Sequence, residues 1–280
     1  KLLILKNGNL HKDSSQYTKA TKISLQPHQQ TLLHYMLLLE DSNKRKIGNY
    51  TQSEYFIDSK MGILADRAGT KKEETILALL SIKPLIENRP IPYQTIQYVS
   101  ITQHHTQYIP INLLIIPNYL LNQWKKKCHN IKYYSIQKKK DLKQKITHYS
   151  GLVILTNTMY AQFIHKYDTT QFIISRVIFD QTDSIIIEQS EKINACFYWF
   201  LSSACENLLF PLGYYYDRIL DKSGYEQWET IKITGLQHSG FIRNIFYHIS
   251  ISDFSFLQYI ILKCDNELLN LNLQKPIKKI

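Results

Sequence analysis

Five short runs of apolar residues, each followed by a loop and a helical segment, constrain the fold of this chain more than any other feature. The runs occupy residues 61–65, 112–116, 152–156, 172–179 and 197–201. Helical patterns follow at residues 74–80, 119–127 and 160–165. Strands that are apolar at successive positions are typical of a parallel sheet, because helices cover both of its faces. The sequence therefore predicts an α/β layer built on a parallel sheet.

The segments outside this pattern give weaker signals. Apolar residues at helical spacing predict one further helix, from Pro27 to a stop at residues 41–43. Residues 1–24 are largely polar and predict an entry segment, and residues 44–46 predict a loop. The region after Pro211 is expected to be mostly helical and packed on the same sheet, with an amphipathic stretch at residues 254–262.

The composition indicates the class of partner. The 280 residues include 34 Lys and Arg against 23 Asp and Glu, which gives a formal net charge of +11. A charge of this sign favours polyanions, and nucleic acid first among them. The richness in Lys, Ile, Asn and Tyr fits the AT-rich genome of a large DNA virus or a cytoplasmic DNA element. We therefore expect the protein in the nucleus or at a cytoplasmic site of viral or plasmid replication.

The cysteines and the apolar runs exclude other classes. The four cysteines lie far apart, so neither a zinc knuckle nor a disulfide framework is predicted. A metal site formed by His104, His105, Cys128 and His129 is disfavoured, because adjacent histidines seldom face one ion. No apolar run reaches the roughly 18 residues that a membrane span needs. We expect an intracellular protein with no membrane partner.

Ligands of open α/β sheets bind at the carboxyl ends of the strands, so the loops there are the first candidates for a site. The loop after the first predicted core strand contains Gly69, Thr70, Lys71, Lys72 and Glu73 and leads into a helix. A phosphate-binding loop has this layout, with backbone N–H groups and a lysine holding the phosphates. Because the Gly-Lys-Ser/Thr core is absent, an ordinary turn between strand and helix is the favoured interpretation of this loop in isolation.

Six segments follow one another in an order that is more informative than any one of them. They read LQPHQ at residues 25–29, GILADRAGTKKEET at 62–75, LLIIPNYLLNQW at 113–124, SRVIFDQTD at 175–183, YWFLSSAC at 198–205, and a closing stretch at 257–273. In this order and spacing they resemble the ATPase core of the Swi/Snf-type family of superfamily 2 helicases and DNA translocases.

The resemblance implies a RecA-like α/β fold of the P-loop NTPase type, a parallel sheet flanked by helices in a single lobe. Residues 25–265 would form the first, ATP-binding lobe, after an entry segment at 1–24. Residues 266–280 would begin the linker to a second lobe. The implied cofactors are ATP and Mg²⁺ if the pocket is functional, and none otherwise.

The resemblance also assigns roles to single residues. Gln29 would recognise adenine, and the residues of the loop would hold the phosphates: Gly69, Thr70, Lys71, Lys72 and Glu73. Asp180 would bind the metal, and Gln181 stands at the position of the catalytic carboxylate. In the family these positions carry out ATP hydrolysis.

The departures from the family pattern fall on these chemical positions. Lys71 replaces a glycine, which would be unfavourable by about 1 kcal/mol if the position needs a positive φ. Glu73 replaces the metal-binding Thr and places negative charge where a triphosphate would lie. Gln181 can hydrogen-bond a water molecule but cannot accept its proton. Thr182 and Asp183 replace an Ala-His pair.

A lysine-rich segment gives a second candidate surface. Residues 125–145 contain nine lysines interleaved with Tyr133 and Tyr134. A solvated helix face and a surface for phosphate contacts are both consistent with this composition. In the family this region lies near the DNA, which favours sequence-independent backbone contacts by Lys125, Lys126, Lys127, Lys138, Lys139 and Lys140.

Two functions compete. The first prediction is a degenerate lobe that serves as a nucleic-acid-binding or assembly scaffold and hydrolyses little or no ATP. The alternative is an ATP-dependent DNA translocase or helicase lobe that still binds ATP and works with a second RecA-like lobe or with other subunits. Whether the chain is an enzyme is left open between them.

Overall fold

The computed structural model describes residues 4–5, 23–41, 44–50, 53–58, 60–86, 107–143, 146, 149–167, 171–187, 193–204, 214–220, 223, 226–232 and 260–264. For residues 4–5, 44–50, 53–58, 214–220 and 226–232 the backbone alone is described. No helix within these ranges is long and apolar enough to cross a membrane.

A parallel sheet of eight strands forms the centre of the molecule. In chain order its strands are β1 (Ile4–Leu5), β4 (Met61–Leu64), β5 (Gln107–Ile116), β6 (Tyr133–Ile136), β7 (Gly151–Thr156), β8 (Phe172–Phe179), β9 (Ala195–Leu201) and β12 (Ile261–Cys264). Their spatial order is β1-β12-β4-β9-β8-β5-β7-β6, and every neighbouring pair is parallel. The predicted RecA-like α/β sheet is thereby confirmed, and each of the five predicted strands lies within it.

Among the described residues, four helices flank the sheet: α1 (Pro27–Asp41), α2 (Lys72–Ile82), α3 (Leu121–Lys127) and α4 (Tyr160–Tyr167). Pro27 opens α1, where its missing N–H has no intrahelical partner to lose. Glu73 and Glu74 lie in the first turn of α2, where negative charge stabilises the positive end of the helix dipole. Short 3₁₀ turns precede α3 and α4 at Asn118–Leu120 and Asn157–Met159.

Side chains alternate between the two faces of each strand, so the buried apolar residues form two cores, one on each face of the sheet. Leu114 and Ile116 of β5 pack with α1, α2 and α3 on one face of the sheet. Leu113 and Ile115 of the same strand pack with α4 on the other face. Because successive side chains of a strand point to opposite faces, a central strand is buried on both sides, and all eight residues of β8 are indeed buried.

A buried ion pair attaches α1 to the sheet. Arg176 of β8 donates from Nε and Nη2 to the two carboxylate oxygens of Glu40, at 2.6 Å each. Trp199 Nε1 also donates to Glu40 at 2.9 Å, and Asn112 Oδ1 accepts from Arg176 at 2.9 Å. Both charges are therefore paired and hydrogen-bonded, which a buried charge requires.

Two hairpins correct the sequence predictions. Residues 44–46, predicted as a loop, belong to β2 (Lys44–Tyr50), which pairs antiparallel with β3 (Ser53–Asp58). The helical prediction after Pro211 is wrong for β10 (Tyr214–Leu220) and β11 (Glu226–Lys232), which form a second hairpin. Tyr, Ile, Thr and Trp favour strands, and this preference exceeds the helical tendency of the neighbouring residues.

The amphipathic stretch predicted at residues 254–262 is also corrected where it is described. Residues 261 and 262 belong to strand β12, which pairs in parallel with β4. Residues 254–259 lie outside the described residues.

Candidate functional site

The strand order brings three loops to one place. β9 lies between β4 and β8 in the parallel sheet, so the loops that leave these three strands meet at their carboxyl ends. A cavity of about 320 Å³ opens there, lined by residues of all three loops, among them Gly69, Lys72, Glu73, Asp180, Gln181 and Ser203. The structure thus gathers Gly69, Lys71, Lys72, Glu73, Asp180 and Gln181 from the predicted set. Gln29 and Thr70 lie next to it, in contact with each other.

The loop between β4 and α2 adopts a backbone that favours glycine at two positions. Gly69 has φ of 84° and Lys71 has φ of 56° with ψ of 47°. Lys71, predicted to replace a glycine, has a side chain in this left-handed region, which costs about 1 kcal/mol. The Lys71 side chain is 61% exposed, and its Nζ lies 3.7 Å from Glu74 Oε1.

Gln29 supports this loop from within the protein. Its side chain is completely buried, and Nε2 donates to the carbonyl oxygens of Thr70 at 3.3 Å and Lys71 at 3.1 Å. Its Oε1 accepts from Gln26 N at 2.8 Å. The amide predicted to recognise adenine is therefore engaged with the protein backbone at both ends.

Lys72 has a partner for each of its three ammonium protons. Nζ donates to the carbonyl oxygens of Asp66 at 2.7 Å and Arg67 at 3.0 Å, and to Ser203 Oγ at 3.1 Å. Burial lowers the pKa of Lys72, and the negative charges of Asp66 and Asp180 oppose that shift. The lysine predicted to reach a phosphate is thus satisfied by its own chain.

Protein groups also provide hydrogen-bond partners for both carboxylate oxygens of Asp180. Trp124 Nε1 donates to Oδ2 at 2.8 Å, and the backbone N–H of Gln181 donates to Oδ1 at 2.8 Å. Burial raises the pKa of Asp180, the charge of Glu73 raises it further, and the two hydrogen bonds act in the opposite direction. Each oxygen of the predicted metal ligand already accepts one hydrogen bond from the protein.

Gln181 occupies a strained position beside Asp180. Its φ is 51°, in the left-handed region that side chains disfavour. Its Oε1 accepts a hydrogen bond from the hydroxyl of Tyr119, a side chain that is 70% exposed at the rim of the cavity. The amide predicted to stand at the position of a catalytic carboxylate is therefore held by an exposed phenol.

Glu73 lines the cavity and bonds to α3. Its Oε1 accepts from Gln123 Nε2 at 2.9 Å and from Lys127 Nζ at 3.1 Å. These contacts tie the first turn of α2 to α3. The carboxylate predicted to replace a metal-binding Thr thus bonds to α3.

Thr182 and Asp183 tie together the loops after β8 and β9. Thr182 Oγ1 lies 3.1 Å from the carbonyl oxygen of Leu201 and is completely buried. Asp183 Oδ1 accepts from Ser203 N at 3.3 Å. Because Ser203 also accepts from Lys72, Asp183 and Lys72 are linked through one serine.

Several residues of this arrangement were noted only as parts of motifs and were not predicted as site residues. Trp124 and Gln123, the partners of Asp180 and Glu73, are two of them. Asp66 is another, and its Oδ1 accepts from Cys264 N at 2.7 Å and so fixes the start of the loop against β12. Burial raises the pKa of Asp66. The only sequence signal for the tryptophan was its place in the resemblance.

The predicted basic surface lies in two segments. Lys125, Lys126 and Lys127 form the last turn of α3, where positive charge also stabilises the helix end. Lys138, Lys139 and Lys140 are exposed in the turn after β6. Asp141 caps that turn by accepting from the N–H groups of Gln137 at 3.0 Å and Lys138 at 2.9 Å, and these hydrogen bonds lower its pKa.

The histidines and cysteines give no metal centre in the described part of the chain. No group of three or more His, Cys, Asp or Glu side chains suited to a metal ion occurs there. Cys128 is buried, which raises its pKa to about 12, and His129 Nδ1 lies 3.2 Å from the carbonyl oxygen of Lys126. His104 and His105 lie outside the described residues.

Comparison with known proteins gives a structural similarity but no match by sequence. No protein-family model matches the chain, and no curated protein matches it. Among solved structures, the chain is similar to the SWI2/SNF2 ATPase core of Sulfolobus solfataricus in complex with dsDNA, with a TM-score of 0.49 and 12% sequence identity. The similarity covers 90% of this chain and 47% of that one, so this chain spans about half its length. The fold assignment rests on the strand order and register of this chain itself.

Proposed function

We propose that this protein is a degenerate Swi/Snf-type lobe that acts as a nucleic-acid-binding or assembly scaffold and hydrolyses little or no ATP. The observation that carries the proposal is the state of Lys72, whose three protons are all donated to Asp66, Arg67 and Ser203. In a working phosphate loop that ammonium group contacts the phosphates. A nucleotide would have to displace bonds that the chain already makes.

The neighbours of Lys72 support the same conclusion. Glu73 adds a carboxylate at the mouth of the cavity, 3.1 Å from Lys127 and 2.9 Å from Gln123. That charge repels a triphosphate, and its Oε1 is already engaged by two side chains of α3. Gln181 cannot act as a general base, which removes a contribution to hydrolysis of about a hundredfold or more.

Binding of nucleic acid is supported by charge and exposure. The net charge of +11 favours polyanions, and Lys138, Lys139 and Lys140 are exposed in one turn. The motif order of the sequence resembles a family of DNA translocases, which favours DNA among the polyanions. We propose duplex DNA as the partner, held by backbone contacts that do not depend on sequence.

Titration of a labelled DNA duplex at several salt concentrations tests this function. We expect binding that weakens steeply with salt, and a variant carrying Lys138→Gln, Lys139→Gln and Lys140→Gln should lower the salt slope by about 1 for each phosphate that is no longer bound. A single variant, Lys139→Gln, is compared with the control variant Lys71→Gln. The control also removes one exposed lysine, but from the loop between β4 and α2. Salt-independent binding, or an equal effect of these two single changes, would contradict the proposal.

The alternative is a lobe that still binds ATP and works as part of a DNA translocase with a second RecA-like lobe. It is favoured by one observation, the convergence of Gly69, Lys72 and Asp180 on one cavity in an arrangement that fits a nucleotide loop facing a metal ligand. If this alternative holds, DNA should stimulate ATP hydrolysis by the chain or by its complex with the second lobe. Phosphate release measured with and without duplex DNA distinguishes the two functions.

A further inference from the structure

Glu73 holds two side chains of α3 with a single oxygen atom. Gln123 and Lys127 lie four residues apart and therefore on one face of the helix, and both donate to Glu73 Oε1. The Glu73 and Lys127 side chains are 19% and 25% exposed, so the pair is neither fully buried nor freely solvated. A partly shielded pair of this kind is less screened by salt than one at the open surface.

The same turn of α3 carries the predicted nucleic-acid contacts. Lys125, Lys126 and Lys127 follow one another at its end. Of these three, Lys127 is the one whose ion pair with a carboxylate is seen in the described part of the chain. A phosphate group that approaches this end of α3 therefore meets two lysines and a third whose charge is already neutralised.

We infer that Glu73 is an internal anion that competes with nucleic-acid phosphate for Lys127 and thereby limits the affinity of this surface. A lysine ammonium has three donors, but its favourable interaction with a phosphate is reduced while a carboxylate oxygen lies 3.1 Å away. The residue that departs from the family at the metal-binding position thus weakens the basic surface on α3. This inference rests on the proposed binding of nucleic acid.

Glu74 provides a matched control on the same helix turn. Its Oε1 faces Lys71 at 3.7 Å, and its side chain is 26% exposed. Glu73→Gln and Glu74→Gln remove the same charge from adjacent positions. A change in the overall electrostatic field would therefore appear in both variants, whereas competition for Lys127 appears only in Glu73→Gln.

The test is titration of a labelled DNA duplex into the wild type, Glu73→Gln, Glu74→Gln, Lys127→Gln and the double variant Glu73→Gln/Lys127→Gln, each at several NaCl concentrations. We expect Glu73→Gln to bind about threefold to tenfold more tightly at low salt, with a salt slope steeper by about 1, because one more phosphate contact forms. Glu74→Gln should bind like the wild type. The double variant should bind like Lys127→Gln.

Each outcome bears on a different statement. If the wild type binds but Glu73→Gln gains nothing, or Glu74→Gln gains as much, the competition is refuted and the proposed function survives. The competition is also refuted if the gain persists without Lys127. If only Glu73→Gln binds, the competition stands and the wild type does not function in nucleic-acid binding. If neither binds while circular dichroism shows both folded, both statements fail.

Discussion

Lys72 and Asp180 illustrate at the level of single residues how a nucleotide pocket can be stable without a ligand. The ammonium group of Lys72 and the carboxylate of Asp180 are buried and hydrogen-bonded by protein groups. Hydrogen bonds to charged groups contribute about 1.5–3 kcal/mol each. A triphosphate would have to replace several of them and also overcome repulsion by Glu73.

The carboxyl group of Asp180 gives a prediction about pH. The pKa of Asp180 in the folded protein is raised above its ordinary value of 3.8, so folding favours the protonated carboxyl group. The stability that results is fully present below pH 3.8 and is lost as the pH rises through the raised pKa. We expect Asp180→Asn to become more stable relative to the wild type as the pH rises from about 4 to about 7, because the wild type alone loses stability there. Urea unfolding of both proteins at the two pH values measures this difference. A difference that does not change with pH would show that the bonds from Trp124 and Gln181 fully offset burial.

The left-handed backbone at Lys71 gives a prediction about strain. Glycine adopts φ of 56° without steric cost, so Lys71→Gly should raise the unfolding free energy by about 0.5–1 kcal/mol relative to Lys71→Ala. Both changes remove the exposed pair with Glu74, which is worth at most about 1 kcal/mol. Urea unfolding of the two variants isolates the backbone term, and equal stability of the two would contradict the assignment of strain.

At the level of secondary structure, the ion pair between Glu40 and Arg176 decides whether α1 stays on the sheet. Arg176→Met should lower the unfolding free energy by about 3–5 kcal/mol, because it leaves the buried carboxylate of Glu40 without its main partner. Adding Glu40→Leu to that variant should recover most of the loss. Chemical unfolding of Arg176→Met, Glu40→Leu and the double variant, each against the wild type, measures the coupling. A double variant as unstable as Arg176→Met would contradict this account, because the loss would then come from the other contacts of Arg176 and not from the unpaired carboxylate of Glu40.

The sequence predicted those elements whose residues are compatible with only one kind of environment in the fold. β8 is apolar at most positions, and only a central strand buries both faces. β6 and the two hairpins escaped prediction because their Tyr, Lys and Thr residues fit a strand, a loop or a helix equally well without knowledge of the pairing partner. β12 was missed since its short apolar run lies at the end of an amphipathic pattern and becomes a strand by pairing with β4.

The sequence predicted which residues come together in the candidate site but not which groups they bond to. The motif order identified Lys72, Glu73 and Asp180, because strands of a parallel sheet end at a common edge. The partners of these residues come from distant segments, as Trp124 does for Asp180 and Ser203 for Lys72. Such pairings depend on side-chain geometry across several strands, which spacing along the chain does not encode.

On the scale of the whole molecule, the parallel sheet places the cavity and a basic turn on one edge. The cavity lies at the ends of β4, β8 and β9, and Lys138, Lys139 and Lys140 follow the end of β6. Gln137 Nε2 connects that turn to Asn118 Oδ1, in the loop after β5, at 3.4 Å. The proposed polyanion would thus bind at the same edge of the sheet as the cavity, without entering the cavity itself.

The proposed exclusion of nucleotide from the pocket is tested by titration of a fluorescent ATP analogue with Mg²⁺ into the wild type and into the variant Lys71→Gly/Glu73→Thr. The variant removes the strained side chain and the carboxylate at the mouth and restores the hydroxyl that the family uses for the metal. We predict that the wild type does not bind at micromolar concentrations and that the variant does. Micromolar binding by the wild type would contradict the exclusion, because it would show that a nucleotide displaces the partners of Lys72 and Asp180.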